Sequence, residues 1–193
     1  MAESNSEIIN EKNITQNNYY RVNAVAVNDT LSLRLAPNSK AKLVLQIPHN
    51  ATGLLKLKDS GKWTKISYSG NTGWVHGHYL KISKPSTVKN IYAKELFCFG
   101  GEPHWILNTN GYKIIFNKLG SKTIYWLNSA VNNSANNTGI KSFIAINPLR
   151  IDKSLRVLTI RNKRCSDGMR DKTFPYSAVI FHNNIEIASG CCQ

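Results

Sequence analysis

The residues with the most chemistry to offer fall in three places. These are Cys98-Phe99-Gly100-Gly101-Glu102-Pro103-His104-Trp105, Cys165-Ser166-Asp167-Gly168-Met169-Arg170-Asp171 and Gly190-Cys191-Cys192. They hold all four cysteines. A cysteine acts as a nucleophile only as a free thiolate with a base in reach. It builds a zinc site only within a set of three or four protein ligands. With no residue between Cys191 and Cys192, a metal site is poorly served, and oxidation to disulfides fits better. Glu102, Asp167 and Asp171 are acids set in turns of a basic chain, and with His104 and Trp105 they form a candidate ligand site. A structural reading competes and is preferred. Asp167-Gly168 is turn chemistry whose carboxylate can accept backbone N–H groups, and Glu102-Pro103 can fix the start of a strand. His76 and His78, at i and i+2 of a strand, share a face but have no carboxylate or thiolate nearby in sequence to complete a zinc set. No metal, no cofactor and no catalytic residue is expected.

The elements that must position these groups are short strands. Residues 1–18 are rich in Asn, Glu and Ser without periodicity, which predicts a mobile tail. From Tyr19 the chain alternates in period two through Leu31–Leu35, Leu43–Ile47, Leu54–Leu57 and Trp63–Ile66. Turn-formers such as Asp59-Ser60-Gly61 and Ser69-Gly70-Asn71 separate these runs, the pattern of a small all-β barrel. Pro85 ends the pattern and residues 84–96 read as a linker, with Lys89 to Phe97 a linker or short helix, so the domains are expected at 19–83 and 97–193. The second domain again reads as β, with runs at 105–107, 112–116, 122–127, 143–146, 155–160, 178–182 and 185–188. Asn108-Thr109-Asn110-Gly111 and Asn183-Asn184 are read as its hairpin turns, and 131–139 as an Asn-rich loop. The fold class is all-β: an SH3-like small barrel followed by a second, disulfide-bonded antiparallel β domain.

Leu31-Ser32-Leu33-Arg34-Leu35-Ala36-Pro37-Asn38 resembles the leucine-asparagine-valine-arginine-x-x-proline signature of bacterial SH3 (SH3b) domains, with serine at 32 for the usual asparagine. Gly61-Lys62-Trp63-Thr64-Lys65-Ile66 resembles their glycine-x-tryptophan strand, and Gly73-Trp74-Val75 with Tyr79-Leu80 their closing element. The resemblance implies binding of cell-wall peptides, with Trp63, Tyr68, Trp74 and Tyr79 as groove candidates. An aromatic in a small barrel usually packs. That favours core placement for Trp63 and Trp74 and divides Tyr68 and Tyr79 evenly between core and groove.

If Asn183-Asn184 is a two-residue turn, His182 opposes Ile185, Tyr176 opposes Cys191 and Pro175 opposes Cys192. Successive strand residues point to opposite faces, so Cys191 and Cys192 take different partners. That leaves Cys98 and Cys165 in either assignment. The three motifs together resemble a group of small bacterial envelope domains, often lipoproteins, marked by glycine-x-glutamate-proline-phenylalanine-tryptophan, cysteine-x-aspartate-glycine-methionine-serine-aspartate and a glycine-cysteine end. His104 and Arg170 depart from that pattern. The resemblance implies Cys165–Cys191, hence Cys98–Cys192. It also implies the periplasm or outer membrane, an oxidising compartment that suits disulfides. His182 and Ser189-Gly190-Cys191 resemble the L,D-transpeptidase motif, but at too short a spacing.

The net charge of +14 is spread over both halves. Residues 19–84 hold ten Lys/Arg against two Asp/Glu, and 98–193 hold twelve against five. Such a surface attracts polyanions, and the candidate partners are peptidoglycan or another envelope polymer. Nucleic acid is disfavoured by the disulfides. No run of 18 apolar residues would span a membrane. Export, or a lipid anchor, would depend on a native N-terminus that carries the signal for it. The expected function is non-catalytic wall binding through the SH3b module. The alternative is a periplasmic inhibitor or immunity protein against a peptidoglycan-degrading enzyme.

Overall fold

The computed structural model describes residues 14–102, 104–128, 132–134, 137–147, 150–168, 171–183 and 185–193. Most of the expected tail lies outside these. Its last residues are ordered: Ile14 is buried, and Thr15 caps a 3-10 turn at Gln16–Asn18. The chain divides into two compact units, Met1–Pro85 with Asn128–Ala130, and Ser86–Leu127 with Val131–Gln193. No helix among the described residues is long and apolar enough to cross a membrane.

Unit 1 is a seven-stranded antiparallel sheet. Its strands are β1 (Tyr19–Val22), β2 (Thr30–Arg34), β3 (Leu43–Pro48), β4 (Thr52–Ser60), β5 (Trp63–Tyr68), β6 (Asn71–His76) and β7 (Leu80–Ile82), in the order β3-β2-β6-β5-β4-β1-β7. Alternation decides which face is inside. Leu31 and Leu33 of β2 point inward, as do Thr64, Ile66 and Tyr68 of β5. Val22, Leu31, Leu33, Ile47, Leu54, Ile66, Tyr68 and Val75 form one core, so the sheet curls around its own apolar face. The β5–β6 hairpin turns on Ser69 and Gly70, both at positive φ (48° and 77°), the twist that tight hairpins need.

Unit 2 closes completely. Its strands are β8 (Phe97–Gly100), β9 (Trp105–Asn110), β10 (Lys113–Lys118), β11 (Ser121–Leu127), β12 (Asn132–Ser134), β13 (Asn137–Asn147), β14 (Arg150–Cys165), β15 (Phe174–His182) and β16 (Ile185–Cys192). The order runs β11-β10-β9-β8-β16-β15-β14-β13-β12, and Trp126↔Ile146 and Leu127↔Ala145 join β11 to β13. Eight strands thus form a ring, with β12 added beside β13. A barrel of this size is just wide enough for side chains to fill it. Cys98, Trp105, Leu107, Ile114, Phe116, Tyr125, Phe143, Leu155, Val157 and Ile180 do so.

Four expectations need correction. The segment read as a linker gives Val88, Ile91, Tyr92 and Leu96 to the core of unit 2, because these larger apolar residues turn inward while Ala93 stays exposed. The stretch 131–139 contributes β12 and the start of β13 rather than a loop. Asn108 to Asn110 continue β9, and the turn falls at Gly111 (φ 60°). The β15–β16 hairpin begins as expected at His182↔Ile185, with Asn183 at φ 50° and Asn184 outside the described residues. A bulge then inserts one residue, so Ile180 faces Ala188, Ser177 faces Cys191 and Tyr176 faces Cys192.

Candidate functional sites, one groove in each unit

The groove of unit 1 opens where two strands part. β2 pairs with β6 at Arg34↔Trp74. Beyond that pair lies a cleft of ≈ 580 Å³ lined by Asp29, Ser32, Arg34, Trp63, His76 and Tyr79, with His78 and the 24–26 loop as its wall. Trp63 and His76 are register partners on the outer face of β5 and β6. Their rings meet edge to face at 5.7 Å, and His76 and His78 lie 5.9 and 5.2 Å from the Tyr79 ring. The wall is pinned: Asn23 N–H donates to the Tyr79 carbonyl at 2.9 Å, and Ala24 takes positive φ (56°). Arg34 donates through Nη1 to the Ala41 carbonyl at 2.9 Å, and Asp29 Oδ1 accepts from Thr30 N–H at 2.7 Å. Four aromatic rings, one carboxylate and one guanidinium suit a ligand with both polar ends and surfaces that can stack.

This inverts part of the sequence reading. Tyr68 is core, because it shares the face of Ile66, two residues away. Trp63 has the opposite parity and lines the groove rather than the core. Trp74 is buried and lies under the Lys58 ammonium, 5.6 Å from its ring, and is no part of the lining. Tyr79 lines the groove. Read from the sequence, His76 and His78 suggest only a metal site. The missed signal is their place beside Trp63 across a hairpin. Among the described residues, no three His, Cys, Asp or Glu gather as a ligand set.

The groove of unit 2, ≈ 390 Å³, brings together residues from the first two cysteine-bearing motifs. Phe97, Phe99 and Ile106 lie in its lining with Trp105, and His104, Leu119 and Asp167 line it too. Glu102 and Asp171 are exposed and outside the lining. Pro103 and Arg170 lie outside the described residues. Cys98 is bonded to Cys192 and Cys165 to Cys191, so Cys191 offers no thiol. The second bridge, Phe174 and Phe99 make a small cluster of their own, with the two rings edge to face at 4.8 Å.

The glycines of the motifs make room for Trp105. Its indole is buried and its Nε1–H donates to the Ser189 carbonyl at 3.2 Å. A Cβ on Gly100 would fall on that indole, and one on Gly190 would meet both the indole and the Phe99 carbonyl. The glycine-glutamate-proline-x-tryptophan and glycine-cysteine pieces thus meet at one packing point. Gly168 takes φ 70°, a turn conformation, and its N–H donates to Ser166 Oγ at 3.2 Å, so the acceptor in this bond is Ser166 and not the carboxylate of Asp167.

Residues 29–81 match the family model of the bacterial SH3 domain, which spans the groove-lining Asp29, Trp63, His76 and Tyr79. No curated protein and no solved structure matches the chain.

Proposed function

We propose that the protein is a non-catalytic component of the bacterial envelope that binds peptidoglycan, or a peptide attached to the wall, through the groove of unit 1. The observation carrying this is the aromatic cleft of Trp63, His76, His78 and Tyr79 inside the stretch that matches the bacterial SH3 domain. That domain suggests wall-related binding, and with the two disulfides it is consistent with an extracytoplasmic protein. The periplasm or outer membrane, as in the envelope lipoproteins that the C-terminal motifs resemble, is the compartment that fits. The basic surface adds attraction to the free carboxylates of the wall. With every cysteine oxidised, no thiolate nucleophile supports turnover.

The test is sedimentation with purified sacculi. The protein should pellet with them, release no muropeptides, and remain partly bound when salt shortens screening to about 3 Å at 1 M. Trp63→Ala should weaken binding by roughly tenfold, about 1.4 kcal/mol, without lowering Tm; Tyr79→Ala should weaken it similarly but also cost some stability, because that ring packs partly against the core. Tyr68→Ala should instead lower Tm, because that ring is core. Failure to pellet at low salt, together with stoichiometric inhibition of a muramidase or amidase, would replace this reading with the inhibitor one.

A further inference from the structure

The two charged residues lining the groove of unit 1 stand at opposite ends of one strand. Asp29 immediately precedes β2, and Arg34 is its last residue. Five positions separate them, roughly 16 Å at ~3.3 Å per residue. Between them lie Thr30 and Ser32, and across from them Trp63, His76 and Tyr79. The edge of β2 toward β6 is register-paired at Arg34↔Trp74, and its run from Thr30 to Ser32 lines the cleft rather than a neighbouring ladder. Such an edge presents main-chain donors and acceptors in the spacing of an extended peptide. The Arg34 guanidinium has five N–H donors, and its bond to the Ala41 carbonyl uses one.

Resting on the wall-binding reading above, we propose that this groove is built for a short extended peptide with a free amine at one end and a free carboxylate at the other. The amine lies at Asp29, the carboxylate at Arg34, and the chain runs parallel to β2. The distance sets the length, because four to five extended residues cover roughly 16 Å. The chemistry sets the polarity: a guanidinium is matched to a carboxylate by its planar fork, and a carboxylate at the other end suits an ammonium. The rings stack on the peptide's middle without demanding particular side chains. This separates recognition of a peptide from the general pull of a cationic surface on anions, which would reward the carboxylate and penalise the amine.

The probe is free tetra-alanine, titrated into the full chain by calorimetry or by Trp63 fluorescence, beside its N-acetyl and C-amide forms and the doubly blocked form. Blocking either end should weaken binding by about tenfold, and blocking both by more than either. Asp29→Asn should remove the penalty for N-acetylation and leave the penalty for C-amidation. Arg34→Gln should do the reverse, and thermal melting checks that the loop held by Ala41 survives the change. Should that variant not fold, the blocked peptides on the unaltered protein decide the matter alone. Doubly blocked and free peptides binding equally, or N-acetylation strengthening binding, would overturn the proposal. Sacculi sedimentation run in parallel separates the two failures. Sacculi bound with end-blocking immaterial defeats this inference alone, whereas sacculi and every peptide ignored defeats the wall-binding reading as well.

Discussion

Unit 1 and unit 2 are both antiparallel β, yet they place their constraints differently. Unit 2 closes its ring of strands and carries both disulfides, one of which, Cys98–Cys192, lies in the barrel interior. Unit 1 has no cysteine, and its sheet ends in β3 and β7 without closing. Its groove exists because β2 and β6 separate after one register pair. The grooves differ in kind as well. That of unit 1 holds both signs of charge among four rings. Among the described residues, that of unit 2 is lined mainly by aromatic and aliphatic groups, with Asp167 but no Lys or Arg, in a half of the chain where basic residues dominate. Closure and cross-linking serve the fold where they occur, while the groove proposed for recognition lies where pairing is incomplete.

The widest contrast should come from the disulfides. Cys98–Cys192 ties residues 94 apart and Cys165–Cys191 residues 26 apart. In the chain-entropy account the two closures are worth about 4.7 and about 3.5 kcal/mol. The double Ser variant of the first pair should therefore lose more stability in denaturant than that of the second. Hydrogen exchange should rise in β8, β9 and β16, with β2 and β6 unchanged. Equal losses from both pairs, or lost protection in β2, would break the comparison.

A second contrast sits in adjacent residues. Gly100→Ala puts a methyl group onto the Trp105 indole, whereas Gly101→Ala meets nothing within 4 Å. Overpacking of this sort costs about 3 kcal/mol at the upper end of its usual range, and the neighbouring change should stay within about 0.5 kcal/mol. Equilibrium unfolding of the two variants, each compared with the parent, is enough. Similar values would mean that Gly100 is not the seat of the indole.

Those glycines show how far the sequence could be read. The centres of the strands were visible because apolar residues alternate there. The flanks were hidden, as in β14, which starts at Arg150 and carries Arg and Lys residues well beyond the run 155–160. The Ile91-Tyr92 pair reads as linker because burial there depends on a barrel assembled from distant strands. The bulge in β16 has no composition of its own, so the register of the cysteines came out one residue off. Tyr68 and Trp63 are another matter. Ile66 fixes the parity of β5, and counting two residues in either direction would have sent Tyr68 inward and left Trp63 on the outer face. The residue types of the C-terminal motifs suggested a site, but what Gly100 and Gly190 do, which is make space for Trp105, appears only when β8, β9 and β16 come together.

The smallest effects concern protons, and here too the units differ. Tyr92 is buried in unit 2, with its hydroxyl 2.6 Å from Thr159 Oγ1. Thr159 donates its own hydrogen to the Lys141 carbonyl at 3.3 Å, so Tyr92 is the donor in the shorter bond. Burial pushes the Tyr92 pKa up to about 12, against a lowering by Thr159 and with a further rise from Tyr176. A folded-state value above the ordinary 10 means that the contribution is complete below pH 10 and is lost as pH climbs toward 12, worth roughly 2 kcal/mol. In unit 1, burial alone would lower the Lys56 pKa. Hydrogen bonds to Asp59 and Tyr20 and their negative charge outweigh that and leave it raised. Its stabilisation likewise holds below the ordinary lysine value and fades above it, but the Lys56–Asp59 pair at 2.5 Å is part-exposed and such pairs give under about 1 kcal/mol. Denaturant unfolding at pH 9 and pH 12 should thus show a drop that Tyr92→Phe removes in large part and Lys56→Met reduces only slightly. If Tyr92→Phe keeps the whole drop, the alkaline sensitivity does not reside in the barrel interior, and the contrast between the units fails at this level.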